Sequence, residues 1–132
     1  MVKDLLCDEF QNTVAELLIR HQSILDILTK FQETTARVNR AVAKAVTSCG
    51  CVQIITEKTL LPEDVTVEQL KSLLNSNFYG SLCPDCREIV ESEMGKTLFY
   101  MAAMCNAIDI NLYDVLVKEQ KKIATLRIFN FT

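Results

Sequence analysis

Turn residues are scarce in this chain. Its 132 residues include three Gly and two Pro, too few for the many tight turns of a β-sandwich or barrel. There is one His, so a Ser–His–Asp or Cys–His catalytic arrangement has almost no material to work with. Gly-rich phosphate loops are absent. The longest apolar run, Leu98–Cys105, has eight residues, against the roughly 18 that a membrane span needs. A basic excess is missing too: 14 Lys and Arg face 17 Asp and Glu, a formal net charge of −3. That balance argues against a dedicated nucleic-acid binder, whose affinity comes mostly from neutralising phosphates. The first residues carry Asp4, Asp8 and Glu9 and lack the basic and apolar regions of a signal peptide. The expected compartment is the cytoplasm. There, thiols stay reduced, and clustered Cys serve as metal ligands more often than as disulfides.

What is present reads as helix. Hydrophobic residues make up 49% of the chain, which excludes a disordered polymer, and the length suits one all-α domain over residues 1–132. Positions 1–49 contain no Gly and no Pro, and apolar residues recur there in steps of three and four. The stripe runs Phe10, Val14, Leu17, Ile24, Leu28, Phe31, Val38, Val42, Ala45, interrupted by His21 and Thr35. This predicts one long helix over about 5–47, or two helices kinked near Thr34–Thr35. One continuous helix would reach roughly 60 Å at 1.5 Å per residue. Part of it would then pack on a second chain or on a returning helix, and we expect a homodimer.

Further along, Gly50 ends that helix by taking the left-handed conformation. Val52–Thr56 is a short β-prone run, and Pro62 marks a turn. Thr66 and Gln69 have the spacing of a capping box and predict a short helix over about 67–75, with Val67, Leu70, Leu73 and Leu74 inward. A longer helix is expected from Pro84 to about Ala107, with apolar positions Ile89, Val90, Met94, Leu98, Met101, Ala102 and Cys105 again in steps of three and four. Asn111 is the candidate cap of a last helix, about 112–125, with Leu112, Val115, Leu116 and Ile123 inward. The tail, 127–132, is apolar and suited to docking or to adding a strand.

Two cysteine pairs are the sharpest chemical signal. Cys49-Gly50-Cys51 leaves one helix and Cys83-Pro84-Asp85-Cys86 enters another. Closely spaced thiolates converge on one ion about 2.3 Å away, and four of them form the closed tetrahedron of a structural zinc site. The first pair is tighter than the usual spacing, and Gly50 supplies the backbone freedom it needs. Such a site would close a loop of about 30 residues, the insert at about 49–86, and stiffen a segment with little core of its own. Cys7 and Cys105, alone on helical faces, read as small buried hydrophobes.

Charged candidates are fewer. Arg37, Arg40 and Lys44 sit three and four apart on one helical face, either solvated or holding an anion. Asp85, Glu88, Glu91 and Glu93 open the long C-terminal helix, where negative charge suits the dipole. Glu88 and Glu91 share a face and have the spacing to hold a divalent cation. Glu93 lies on the apolar line of Cys86, Ile89 and Val90, with Lys96 as its natural partner.

The stretch Glu93-Met94-Gly95-Lys96-Thr97-Leu98-Phe99-Tyr100-Met101-Ala102-Ala103-Met104-Cys105-Asn106-Ala107-Ile108-Asp109-Ile110-Asn111-Leu112 resembles the second motif helix of MazG-like nucleotide pyrophosphohydrolases, and the likeness spans residues 93–122. It implies an all-α helical bundle, dimeric or tetrameric. It also implies Mg²⁺ held between carboxylate pairs on two helices, activating water against the α–β linkage of a nucleoside triphosphate. Glu93 alone matches a metal-ligand position. Lys96 stands where the family has Asp, and the preceding helix offers Arg37, Arg40 and Lys44 in place of a carboxylate pair. The expectation is therefore a MazG-like fold stapled by zinc, without the standard Mg²⁺ site, acting as a binding or interaction module. One alternative is an active pyrophosphohydrolase using Glu88, Glu91 and Glu93. It is disfavoured because Glu91 and Glu93 point about 200° apart around a helix. Another is a nucleic-acid-binding regulator using Arg37, Arg40 and Lys44.

Overall fold

A computed structural model describes residues 5–18, 23–56, 58, 63–73 and 77–126, without describing the side chains of 72 and 73. Among them are five α-helices and one two-stranded sheet, in agreement with a mainly helical chain. The helices are α1 (Leu5–Leu17), α2 (Ile24–Lys44), α3 (Val67–Leu73), α4 (Pro84–Ala107) and α5 (Leu112–Leu126). The strands are β1 (Val52–Ile54) and β2 (Phe78–Gly80), paired antiparallel with Val52 opposite Gly80.

The expected long first helix is divided. The break falls between Leu17 and Ile24, and the helix is continuous through Thr34–Thr35, so both sequence readings of this region are corrected. No Gly or Pro announces the break; packing sets it, because α1 and α2 both need the surface of α4. Val14 of α1 and Ile27 of α2 meet Ala102 and Ala103 of α4 in the buried core, with Phe10, Leu18, Phe99, Met104 and Leu112 around them. Small residues at Ala102 and Ala103 let the neighbouring helices approach closely. His21, Pro62 and the tail lie outside the described residues.

Local signals were otherwise reliable. Thr66 Oγ1 accepts from the Gln69 N–H, and Gln69 Oε1 accepts from the Thr66 N–H, both at 3.2 Å, the reciprocal pair that starts α3. Asn111 Oδ1 accepts from the Asp114 N–H at 2.9 Å and caps α5. Buried faces were less legible. Val67, Val115, Leu116 and Ile123, expected inward, are exposed in the single chain, as are Ile89, Met94 and Leu98 of the apolar stripe on α4.

The helices α2 and α4 form the main layer and run antiparallel. Ile27 lies beside Ala103 at one end, and Ala41 and Lys44 lie beside Ile89 at the other. This layer has two unlike sides. From the buried line Ile27–Thr34–Ala45, the apolar residues Ile24, Leu28, Phe31, Val38 and Val42 are rotated roughly 20–100° one way around α2, while Glu33, Arg37, Arg40 and Lys44 are rotated roughly 80–140° the other way. Around α4, Met94, Leu98 and Met101 are rotated one way from buried Val90, and Ile89, Glu93 and Lys96 the other. Since the helices run in opposite directions, equal senses of rotation bring these residues to the same side. One side of the layer is apolar and the other is charged.

A polar knot fastens α1 to the turn between α4 and α5. Buried Gln11 donates from Nε2 to Asn106 Oδ1 (2.9 Å) and to the Ile110 carbonyl (2.7 Å), and its Oε1 accepts from the Leu112 N–H at 2.8 Å. Asn106 Nδ2 returns a bond to the Gln11 carbonyl at 3.0 Å. This satisfies polar groups at the C-terminus of α4 and the N-terminus of α5, where helices leave backbone groups unpaired. Gln11→Ala strands several of these groups away from water. We expect it to lower unfolding free energy by about 2–3 kcal/mol, read by urea denaturation, with helical content retained below the transition.

Candidate metal centre

The chain turns sharply where α2 ends. Ala45–Cys49 is one π-helical turn, closed by the Gly50 N–H donating to the Ala45 carbonyl at 2.8 Å. Gly50 then takes φ 78°, ψ 10°, the left-handed conformation that costs Gly little. The wide turn and the reversal present Cys49 and Cys51 at one end of the α2–α4 layer. Directly after Cys51, β1 pairs with β2, and this ribbon carries the chain back toward Cys83.

Gly80 is the tightest point of the ribbon. Its φ is +89°, and a Cβ there would sit 2.7 Å from the Cys51 carbonyl oxygen. Only Gly fits both conditions, so Gly80 keeps the second cysteine pair against the first. After it, Cys83 caps α4, and its sulfur accepts from the Cys86 N–H at 3.4 Å. Pro84 occupies the first turn of α4, where its missing N–H costs nothing.

The four cysteines expected to act together do meet. The Sγ atoms of Cys49, Cys51, Cys83 and Cys86 all lie within 4.8 Å of one another. The Cys49–Cys83 separation is 3.8 Å, far beyond a disulfide bond and close to the roughly 3.8 Å edge of a tetrahedron with 2.3 Å metal–sulfur bonds. All six cysteines are free thiols. The Cys86 N–H, and then the Cys86 thiol, pull the Cys83 thiol down to about 7. Its hydrogen bond with Cys83 pushes Cys86 up to about 12. Sulfurs this close compete for negative charge, and a divalent cation among them would remove that conflict. Cys105 is buried, which raises its thiol pKa, and Cys7 is half-buried; neither belongs to the cluster.

The carboxylates behave differently. Among the described residues, the cysteines are the one group of three or more ligand-type side chains gathered closely enough for an ion. Glu88 and Glu93 share a shallow depression with Asp85, Ile89 and Ser92, but Glu91 is not part of it. Glu93 is mostly buried. Its Oε1 pairs with Lys96 Nζ at 3.5 Å, as the spacing predicted, and its Oε2 is buried without a hydrogen-bond partner.

Arg37, Arg40 and Lys44 do come together. They line an open groove of about 540 Å³ between α2 and α4, with Glu33 and Ile89 and with Glu93 across from them. Glu33 was not singled out from the sequence. It accepts from Arg37 at 3.0 Å and from Lys30 at 3.2 Å, and these bonds, Lys30 first, lower its pKa. Glu residues in such i, i+4 pairs are common on helix surfaces, so only the groove distinguishes this one.

Comparison with protein-family models, curated proteins and solved structures finds no match. No described helix is long and apolar enough to cross a membrane.

Gly80→Ala should separate the cysteine pairs, whereas Gly50→Ala, with open space around its Cβ, should cost about 1–2 kcal/mol of strain and keep them together. Co²⁺ titration distinguishes the two: tetrahedral thiolate absorption is expected to persist in Gly50→Ala and to vanish in Gly80→Ala.

Proposed function

We propose that this chain is a zinc-stapled helical binding module that works as a homodimer, on a MazG-like scaffold without the standard Mg²⁺ chemistry. The observation that carries the proposal is the meeting of four thiols from two chain segments, because four sulfur donors leave no open position for a substrate or a reactive water. The role of the metal here is structural. It would hold the first turn of α4 to the end of α2 and so set the width of the groove between them.

Mg²⁺ does not fit this groove. Octahedral Mg²⁺ needs oxygen ligands and an acidic surround. Here Glu93 is paired with Lys96, Glu33 is paired with Arg37 and Lys30, and Arg37, Arg40 and Lys44 face the same space. The mild negative charge of the chain and the small size of the basic patch weigh against a nucleic-acid partner. The MazG-like assignment itself rests on the resemblance over 93–122, supported by an all-helical core built on α2 and α4.

Dimerisation is favoured by exposed apolar surface. A standard interface removes about 800 Å² per partner. The apolar side of the α2–α4 layer, with Leu28 45% and Leu98 52% exposed, is the face a second copy would cover.

Purified protein should contain one zinc per chain, and Cys83→Ser or Cys86→Ser should lose it, as read by elemental analysis. Nucleoside triphosphates with Mg²⁺ or Mn²⁺ should remain intact; hydrolysis abolished by Glu93→Ala would overturn the non-catalytic reading. Light scattering should give a dimer mass, and Leu98→Glu, which places charge on the apolar side, should shift it to monomer with metal content unchanged.

A further inference from the structure

We infer that the four-cysteine cluster is an oxidant-responsive latch, in which Cys49 reduces a hydroperoxide and then closes a disulfide on Cys83, giving up the metal. This assigns a regulation to the site read above as a zinc staple and rests on that reading.

Two observations single out these residues. The first is access. Cys49 is exposed, whereas Cys51, Cys83 and Cys86 are half-buried. A small oxidant arriving from solvent meets Cys49 first, and exposure together with thiolate character governs which cysteine is oxidised. The second is a resolving thiol beside it. Cys83 Sγ lies 3.8 Å from Cys49 Sγ, so a disulfide needs the two sulfurs to close by about 1.7 Å. Cys49 is the last residue of the π-helical turn and precedes Gly50, where a Cβ would meet nothing within 4 Å. The turn therefore has room to shift. Cys51 is a poorer partner for Cys49, because a bridge across the single residue Gly50 closes a small, strained ring. Intracellular disulfides of this kind are transient and redox-sensing rather than structural.

The chemistry balances in two steps. The Cys49 thiolate attacks one oxygen of hydrogen peroxide; an S–O bond forms, the O–O bond breaks and hydroxide leaves. The Cys83 thiolate then attacks the sulfur of the resulting sulfenic acid; an S–S bond forms, the S–O bond breaks and a second hydroxide leaves. Two electrons pass from the two sulfurs to the peroxide, and two protons from solvent convert the hydroxides to water. Cys51 and Cys86 alone cannot complete a tetrahedral site, so the ion is released. The new bond still ties the end of α2 to the start of α4, so the helix layer persists.

The purified full chain is assayed for zinc and then given a tenfold excess of hydrogen peroxide beside a chromophoric zinc chelator. We expect release of one zinc per chain, loss of two hydrogens in mass, and a Cys49–Cys83 bridge in a non-reduced digest. Helical content should be retained, and zinc should rebind after reduction by a dithiol. Cys49→His and Cys86→His both keep four ligands, since three thiolates and an imidazole also hold zinc. Release should slow at least tenfold in Cys49→His and remain as fast as in the unaltered chain in Cys86→His. Zinc retained under peroxide overturns the inference, as does any bridge other than Cys49–Cys83, a bridge between two chains, or unslowed release from Cys49→His. Should a variant fail to fold, the bridge mapped in the unaltered chain decides alone. Zinc absent before peroxide is added overturns the staple reading, and the metal release with it, while the mapped bridge still decides the cysteine assignment.

Discussion

The convergence of two cysteine pairs at one end of an antiparallel helix layer is the constraint on which the rest depends. The pairs are separated by about 30 residues of chain in which, among the described residues, only Val52 is buried, and loop closure on that scale carries an entropic cost. Three local devices meet it. The π-helical turn places Cys49 and Cys51, the β1–β2 ribbon brings the chain back, and Gly80 permits an approach to the Cys51 carbonyl that no Cβ would tolerate. Each device is weak alone, since a two-stranded ribbon is marginal in water. The metal proposed for the four sulfurs would convert these weak preferences into one fixed geometry, because its binding energy is folding energy. The groove lies next to this end of the layer, lined by the last turns of α2 and the first turns of α4, so its width follows from how the pairs are held.

Much of this was legible in the residues, and what was legible was local. The capping box at Thr66–Gln69, the cap at Asn111 and the start of α4 at Pro84 depend on neighbours within four residues, so they could be read directly. The cysteine pairs were also legible, because thiol spacing constrains what two sulfurs can reach. Long-range choices were not. The break between α1 and α2 has no Gly or Pro to mark it; it exists because Val14 and Ile27 both need α4. Gln11 and Asn106 carry the knot that fastens α1, yet a neutral amide on a helix gives no periodic signal. The partner strand Phe78–Gly80 follows the short helix expected over about 67–75 and carries no strand signal of its own.

The apolar faces show a different kind of failure. Steps of three and four located the helices correctly but did not say which helix each face meets. On α2 the stripe from Ile24 to Val42 is real, but the line that packs on α4 is Ile27, Thr34 and Ala45, rotated toward the charged side. The proposed dimer would give this excess apolar width a use, because Met94 and Leu98, exposed in the single chain, lie on the side a second copy would cover.

The charge pattern of the groove bears on chemistry through simple electrostatics. A divalent cation placed there would face Arg37, Arg40 and Lys44, while the two nearby carboxylates, Glu33 and Glu93, already hold basic partners. At an effective dielectric constant of 20, a 2+ ion about 6 Å from one fixed positive charge is opposed by about 5–6 kcal/mol, and the three basic groups of the groove outnumber its two carboxylates. An anion reverses each of those signs. Lys96 acts in the same direction, because its ammonium pairs with Glu93 through one carboxylate oxygen. Taken together, these charges make the groove a poor place for a divalent cation and leave its basic wall facing solvent.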